Sequence, residues 1–263
     1  MIKLVATDID GTILIPEHDF TSEVKICIKE LQNKGIKVVL VTGRMNKSAM
    51  KIREKLGLNT PVISYQGSMV NDGNGNILYE RRLSEAQTEK IIEWAKKEGV
   101  HINLYNDDIL YSENDNEIVQ RYSKNQYIDY TVKSFDEIKK DKVNKILAID
   151  YKNPEKIDYL EKTLQEFFPE LYIVKSTPNF LEFSHPEGSK YCAVKFLQKY
   201  WGLNNDEILT IGDQNNDIAL LKAGGIKVAM GNATEKLKLE ADYITDTVQN
   251  DGFVKAVNKF VFS

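Results

Sequence analysis

The apolar positions of this chain change period along its length, and those changes predict its elements. "IKLVAT" (2–7) is a short unbroken apolar run, the pattern of a strand buried on both faces. In "TSEVKICIKELQNKG", Val24, Cys27, Ile28 and Leu31 recur at helical spacing, and Gly35 stands where a helix can end. "IKVVLVTGR" predicts a second buried strand, "NKSAMKIREKLG" a second helix and "PVISYQG" a third strand. The turn-rich "NDGNGN" between Val70 and Ile77 predicts a hairpin. The same alternation returns near the C-terminus. "SKYCAVKFLQKYWG" reads as helix, "EILTIGD" as strand, "NDIALLKAGG" as helix, "IKVAM" as strand, "ATEKLKLEA" as helix and "DYIT" as a short strand.

The middle of the chain follows a different rhythm. Helices are predicted over 84–99, 117–126 and 154–168, with a short one near Ile138. Strands are predicted at 101–105, 109–111, near Tyr130, 144–150, 171–174 and 180–183. Strands paired through short connections imply an antiparallel sheet with helices on one face. The expected fold is therefore α/β: a Rossmann-like, doubly wound parallel-sheet core made of residues 1–81 and 186–263, interrupted by an inserted α+β domain at 82–185.

Composition narrows the setting. The 263 residues are 42% hydrophobic and 28% charged, as in a globular chain, and no apolar run approaches the roughly 18–20 residues of a membrane span. No basic stretch followed by an apolar core and small-residue cleavage site opens the chain, so a cytoplasmic setting is expected. Cys27 and Cys192 both fall in helical patterns, which predicts free thiols and no thiolate zinc site. The net charge is −4 and the lysines are interspersed with acids, so a basic face for nucleic acid is not expected. A small anionic ligand would need local positive charge or a metal. A monomer or small homo-oligomer is expected.

Candidate chemistry gathers at the predicted strand ends. Asp8 and Asp10 close the first strand, and strand alternation points them to one face with Ile9 opposite. Two adjacent carboxylates need a cation, and oxygen ligands suit Mg²⁺. A calcium-binding EF-hand is excluded, because Ile13 and Asp19 stand where that loop needs Gly and Glu. At the end of the second strand, Thr42 offers a hydroxyl, Gly43 a closely approachable N–H, and Arg44 a fixed charge suited to phosphate. Ser189 is a candidate N-cap, which puts Lys190 in a first helical turn against the helix dipole. Such a lysine either reaches into water or marks a site. A further strand ends in Asp213. Asn215 and Asn216 suit the following turn and can donate to an anion, and Asp217 is either a helix cap or another site acid. Each piece alone has an ordinary structural reading. Together they supply acids for a metal, a hydroxyl, N–H donors and a cation.

In this order, "DIDGT", the Thr42 of "VTGR", Lys190 and "GDQNND" resemble the four motifs of the haloacid-dehalogenase-like phosphohydrolase superfamily. "GDQNNDIALLKAGGIKVAMGNATEKLKLEADYIT" resembles its Cof-type, class IIB sugar-phosphatase-like branch. That branch carries an α/β cap (type C2B) between the second and third motifs, the place of residues 82–185 here. The resemblance implies a Mg²⁺-dependent phosphatase of small phosphorylated metabolites, such as sugar phosphates. Asp8 would be the nucleophile, forming an aspartyl-phosphate, and Asp10 the general acid and base. Mg²⁺ would be held by the Asp8 carboxylate, the Asp10 main-chain carbonyl and Asp213. Thr42 and Lys190, helped by Gly43 and Asn216, would bind the phosphoryl group, and Asp217 would support Lys190 and the metal from behind. Arg44 and His185 are candidate substrate contacts, although His185 also reads as an ordinary surface or packed histidine. Glu187 in "HPEGSK" departs from the pattern by adding negative charge near the entrance. Two alternatives share the scaffold: a phosphotransferase or phosphomutase that passes the group to a sugar hydroxyl, and a non-catalytic phosphate sensor. Response-regulator receivers also gather acids, Thr and Lys, but are about half this length and lack the D-x-D-G-T order.

Overall fold

A computed structural model describes residues 1–15 and 19–263. It divides into two compact units, Met1–Tyr79 with Lys190–Ser263, and Glu80–Ser189. In chain order the first unit supplies β1 (Leu4–Thr7), α1 (Ser22–Asn33), β2 (Lys37–Val41), α2 (Asn46–Lys55), β3 (Val62–Ser64), β4 (Met69–Asn71) and most of β5 (Ile77–Glu80). The inserted unit holds α3 (Glu85–Glu98), β6 (His101–Asn106), β7 (Ile109–Ser112), α4 (Glu117–Gln126), β8 (Thr131–Val132), β9 (Val143–Ile149), α5 (Pro154–Phe167), β10 (Tyr172–Thr177) and β11 (Phe180–Ser184). The chain then returns with α6 (Lys190–Tyr200), β12 (Ile208–Gly212), α7 (Ile218–Leu221), β13 (Ile226–Ala229), α8 (Glu235–Lys238), β14 (Tyr243–Ile244) and α9 (Gly252–Val257).

The sheet of the first unit runs β14-β13-β12-β1-β2-β3-β4-β5. The pairs from β14 to β3 are parallel, and β4 turns antiparallel to β3. Strand alternation divides the buried side chains between two layers. Val5, Val38, Leu40, Leu209, Ile211 and Val228 pack with Val24, Ile28 and Leu31 of α1 and Phe253 of α9. Leu4, Ala6, Val39, Val41 and Ile208 pack with Ala193, Val194 and Leu197 of α6 and Leu220 of α7. The unbroken apolar runs seen in the sequence are thus strands covered on both sides, each buried Val, Leu or Ile contributing about 1.5–3 kcal/mol.

Local chemistry fixes the helix ends. The Thr21 hydroxyl accepts the Val24 N–H at the start of α1. Ser84 and Gln87 form a reciprocal capping box on α3, which closes at Gly99 in the left-handed region. Three sequence expectations need correction. The helices expected at 216–225 and 233–241 shrink to the four-residue α7 and α8. After α7, Ala223 and Gly224 make tight three-residue-back bonds to Leu220 and Leu221, and the chain turns into β13. The C-terminal α9, followed by a π-helical turn at Asn258–Phe262, had not been assigned. "PVISYQG" is a strand only as far as Ser64. Tyr65, Gln66 and Gly67 then take φ values of 51°, 60° and 107°.

The sheet of the inserted unit runs β10-β11-β9-β6-β7-β8, antiparallel except for the β7–β8 pair. Ile102, Leu104, Ile146, Ala148, Leu181 and Phe183 meet α3 and α5 on one face. The expectation of helices on that face alone is corrected by α4. Its Tyr122 reaches the opposite face, where its hydroxyl lies 2.6 Å from that of Tyr105 and its ring is edge-on to Phe180 at 5.4 Å. The same face carries the buried Lys145–Glu182 ion pair at 2.7 Å. No helix of the described residues is long and apolar enough to cross a membrane.

Candidate active site

Strands β12, β1 and β2 are neighbours, so their carboxyl ends bring Asp213, Asp8 and Thr42 side by side. Ligands of open parallel sheets bind beyond these ends. The Asp8 N–H continues the ladder to the Ile211 carbonyl at 3.0 Å, and its side chain is buried. Lys190, the first residue of α6, is 1% exposed and donates from Nζ to Asp8 Oδ1 and Asp217 Oδ1, both at 2.6 Å. This settles the two readings of that lysine. Its charge opposes the helix dipole because two carboxylates compensate it, and it does not reach water. Asp8 Oδ2 accepts no hydrogen bond from the described residues.

The remaining acids are held from behind. Asp217 is fully committed: Oδ1 takes Lys190, and Oδ2 takes the N–H groups of Asp213 and Gln214, both at 3.0 Å. Asp213 accepts from the Thr12 hydroxyl at 3.1 Å and from the Gln214 side-chain amide at 3.0 Å. Carboxylate oxygens of Asp8, Asp213 and Asp217 lie within 4.8 Å of one another. Three buried carboxylates therefore share one ammonium. Burial, reinforced by Asp217, holds the Asp8 carboxyl well above the usual carboxylate range. Burial and the Asp217 charge push Asp213 up to about 7. Burial by itself disfavours the Lys190 ammonium, but Asp217 and Asp8 outweigh it and raise that group above the usual lysine range.

Gly11 makes this approach possible. It sits at φ +80°, and a Cβ there would overlap the Asp213 carboxylate. Gly11→Ala is expected to add about 1–2 kcal/mol of backbone strain. It should also displace Asp213, lowering the melting temperature and weakening Mg²⁺ binding together. Unchanged Mg²⁺ titration of folded Gly11→Ala protein would show that the close approach is incidental.

Asp10 requires a correction. The strand ends at Thr7, before either acid, so strand alternation does not set the Asp10 side chain, which is half exposed. It is also not free: the Arg44 guanidinium grips it with two hydrogen bonds, 2.7 Å from Nε and 2.5 Å from Nη2. The Asp10 main-chain carbonyl accepts no backbone hydrogen bond from the described residues. Thr42 is buried, and its hydroxyl accepts the Arg44 N–H at 3.1 Å. Asn216 is buried and donates from Nδ2 to Gln66 Oε1 at 3.0 Å. His185 belongs to the inserted unit, where its Nδ1 accepts the Glu187 N–H at 3.0 Å in a local turn. Burial holds its imidazole below the usual histidine range. Glu187 in turn pairs with Arg81 at 2.6 Å. Sequence reasoning missed Thr12, Gln66 and Gln214. Thr12 could have been found in "DGT", and Gln214 as the residue after the strand-end acid, but Gln66 had no signal beyond the Gly that follows it.

A sequence profile described as haloacid dehalogenase-like hydrolase matches residues 5–257. The chain belongs to the haloacid dehalogenase-like hydrolases. A Streptococcus pyogenes serotype M6 relative is 32% identical, covering 100% of this chain and 99% of its own length. The 5-amino-6-(5-phospho-D-ribitylamino)uracil phosphatase of Bacillus subtilis is 30% identical over 99% of this chain and 96% of its own. Among solved structures, a haloacid dehalogenase-like hydrolase from B. subtilis superposes with a TM-score of 0.88 at 28% identity, over 99% of this chain and 100% of that one. Within the haloacid dehalogenase-like hydrolases this chain is a phosphatase, an α/β phosphohydrolase whose acids, lysine and threonine converge at the carboxyl ends of neighbouring strands.

Proposed function

We propose that this phosphatase hydrolyses small phosphorylated metabolites, sugar phosphates or similar, with Mg²⁺ and through an aspartyl-phosphate on Asp8. The observation that carries the reading is Asp8 itself: a buried carboxylate with one oxygen clamped by Lys190 and the other without a donor among the described residues. Asp8 Oδ2 attacks phosphorus, and the bond to the leaving alkoxide breaks. Asp10 supplies the proton to that alkoxide. A water then attacks the phosphorus of the aspartyl-phosphate, gives its proton to Asp10, and the bond to Asp8 breaks, restoring both carboxyl groups. Splitting the reaction this way replaces one hard displacement by two easier ones. Lys190 orients Asp8 and, with the Thr42 hydroxyl and the Gly43 and Asn216 N–H groups, offers donors to the phosphoryl oxygens.

The donor set fits Mg²⁺. It is made of hard carboxylate oxygens, and three buried acids against one lysine leave a charge deficit of the sign and size of a divalent cation. Asp8, Asp213 and the Asp10 carbonyl are the groups that would hold it, since both oxygens of Asp217 are already taken. Bound there, Mg²⁺ supplies Lewis-acid neutralisation of the phosphoryl charge.

Arg44 is read as the partner that parks Asp10 and meets the substrate. Arg44→Ala removes charged hydrogen bonds worth about 1.5–3 kcal/mol, so kcat/KM is expected to fall roughly ten- to a hundredfold. Steady-state kinetics that match the parent protein would remove Arg44 from the site. The function itself is tested by a panel of phosphate esters with Mg²⁺, ranked by kcat/KM. The panel should include sugar phosphates and the substrate in the name of the B. subtilis relative. Absence of Mg²⁺-dependent phosphate release across it would refute the reading.

A further inference from the structure

Gln66 is a buried polar residue of the first unit that the mechanism above leaves unused. It is 1% exposed and lies in a left-handed turn, with Tyr65 before it also at positive φ. Non-glycine residues avoid this region, and when they are held there the surrounding structure over-determines them, most often at functional sites. Two of the bonds that hold this turn come from the phosphate-facing loop after β2. The Tyr65 and Gln66 N–H groups bind the Arg44 and Thr42 carbonyls at 2.9 and 3.0 Å. The side chain then reaches both remaining elements. Its Oε1 accepts Asn216 Nδ2 at 3.0 Å, and its amide lies so close to Gly43 that a Cβ there would come within 2.5 Å of Nε2. Asn216 Oδ1 is buried without a hydrogen-bond partner among the described residues, and the bond to Gln66 orients that amide.

We propose that Gln66 is a positioning residue for phosphoryl binding: it holds Asn216 from one side and braces Gly43 from the other, so that both present their N–H groups to the same anion. The proposal rests on the reading that Thr42, Gly43 and Asn216 bind the phosphoryl group. A mere packing role accounts for the burial. It does not account for an amide on a backbone that glycine would occupy without strain, joined to loops that reach the site from three different strand ends.

Gln66→Gly separates the two roles, because it relieves the backbone while deleting the amide. The probes are p-nitrophenyl phosphate as substrate and inorganic phosphate as competitive inhibitor, measured for Gln66→Gly, Asn216→Ala and the double variant. The expected result is a Gln66→Gly protein that melts at or above the parent temperature. Its inhibition constant for phosphate should rise about tenfold, and the loss in the double variant should fall short of the product of the two single losses, because the part of Gln66's effect that runs through Asn216 is already gone in Asn216→Ala. A melting temperature well below the parent, or losses that simply multiply in the double variant, would overturn the proposal. So would parent-like phosphate inhibition by Gln66→Gly beside a weakened Asn216→Ala. If Asn216→Ala itself binds phosphate normally, the underlying phosphoryl-site reading is what fails. Gln66→Glu gives a second handle: it keeps the acceptor for Asn216 but sets a carboxylate against Gly43, and should weaken phosphate inhibition more than tenfold. Unchanged inhibition there would also count against the assignment.

Discussion

Asp8→Asn is expected to abolish phosphate-ester hydrolysis and to leave the protein folded and no less stable than the parent. The two halves of this result come from one geometry. The amide cannot attack phosphorus, and loss of a group that acts in a catalytic unit typically lowers kcat by about 10⁴–10⁶. Stability moves the other way because Asp8 is one of three clustered buried carboxylates, of which Lys190 pairs with two. Burial and Asp217 already disfavour its charge, so the neutral isostere relieves repulsion while its oxygen still accepts from Lys190. Lys190→Ala is the contrasting control. It strands Asp8 and Asp217 without their ammonium, and breaking a buried ion pair in this way costs about 3–5 kcal/mol. Paired thermal melts and turnover assays read both variants. Appreciable turnover by pure Asp8→Asn protein would sink the nucleophile assignment, and a sharply lowered melting temperature would sink the charge argument.

Mg²⁺ is expected to raise the melting temperature strongly at pH 8 and little at pH 5.5. In the metal-free folded protein, Asp213 keeps its proton up to about 7, and Asp8 is displaced in the same direction. An unfolded aspartate loses its proton near about 3.9. Between those values the folded state binds more protons than the unfolded one, so these two groups make stability fall as pH rises, and the Asp213 share of the loss is complete above about 7. A cation at the same oxygens must displace the protons, which makes its binding weak in acid and full above neutrality. At a hundredfold excess over Kd the gain is about 2.7 kcal/mol. That corresponds to roughly 5–10 °C for a chain of this size. EDTA is expected to remove both the gain and the turnover, and Asp213→Asn to weaken the Mg²⁺ shift and reduce its pH dependence, with Asp8 supplying what remains. An equal shift at the two pH values, or none at pH 8, would refute a metal at Asp8 and Asp213.

The strands of the first unit were legible because they are buried on both faces, so β1, β2 and β12 appear as apolar runs needing no alternation. The acids and Thr42 were legible for a related reason: a polar residue directly after such a run stands at a sheet edge where ligands bind. Tertiary decisions were harder to read. Whether Asp10 stays on the Asp8 face depends on where β1 stops, and it stops at Thr7. The Arg44–Asp10 pair follows from the parallel register that sets Thr7 beside Leu40, which one sequence does not fix. Gln66 was invisible because nothing in its side chain announces a left-handed backbone; the surrounding loops impose it. The last helix escaped because "NDGFVKAVNKFVF" opens with turn residues and is too short to establish a period.

The sheet order has a consequence for how the molecule is made. β1 lies between β2 and β12, yet β12 is synthesised only after the whole inserted unit. At about 5–20 residues per second, the interval between β2 and β12 leaving the ribosome is roughly 10–30 s. Throughout it, β1 presents an unpaired apolar edge, the kind of surface that nascent chains must have shielded. The inserted unit is contiguous and is finished within that time. Asp8 is therefore among the first residues made, but its counter-ion and fellow acids, Lys190, Asp213 and Asp217, reach it among the last. The growing chain carries an incomplete and inert site for most of translation, and β12 joins the sheet and completes the chemistry in the same step.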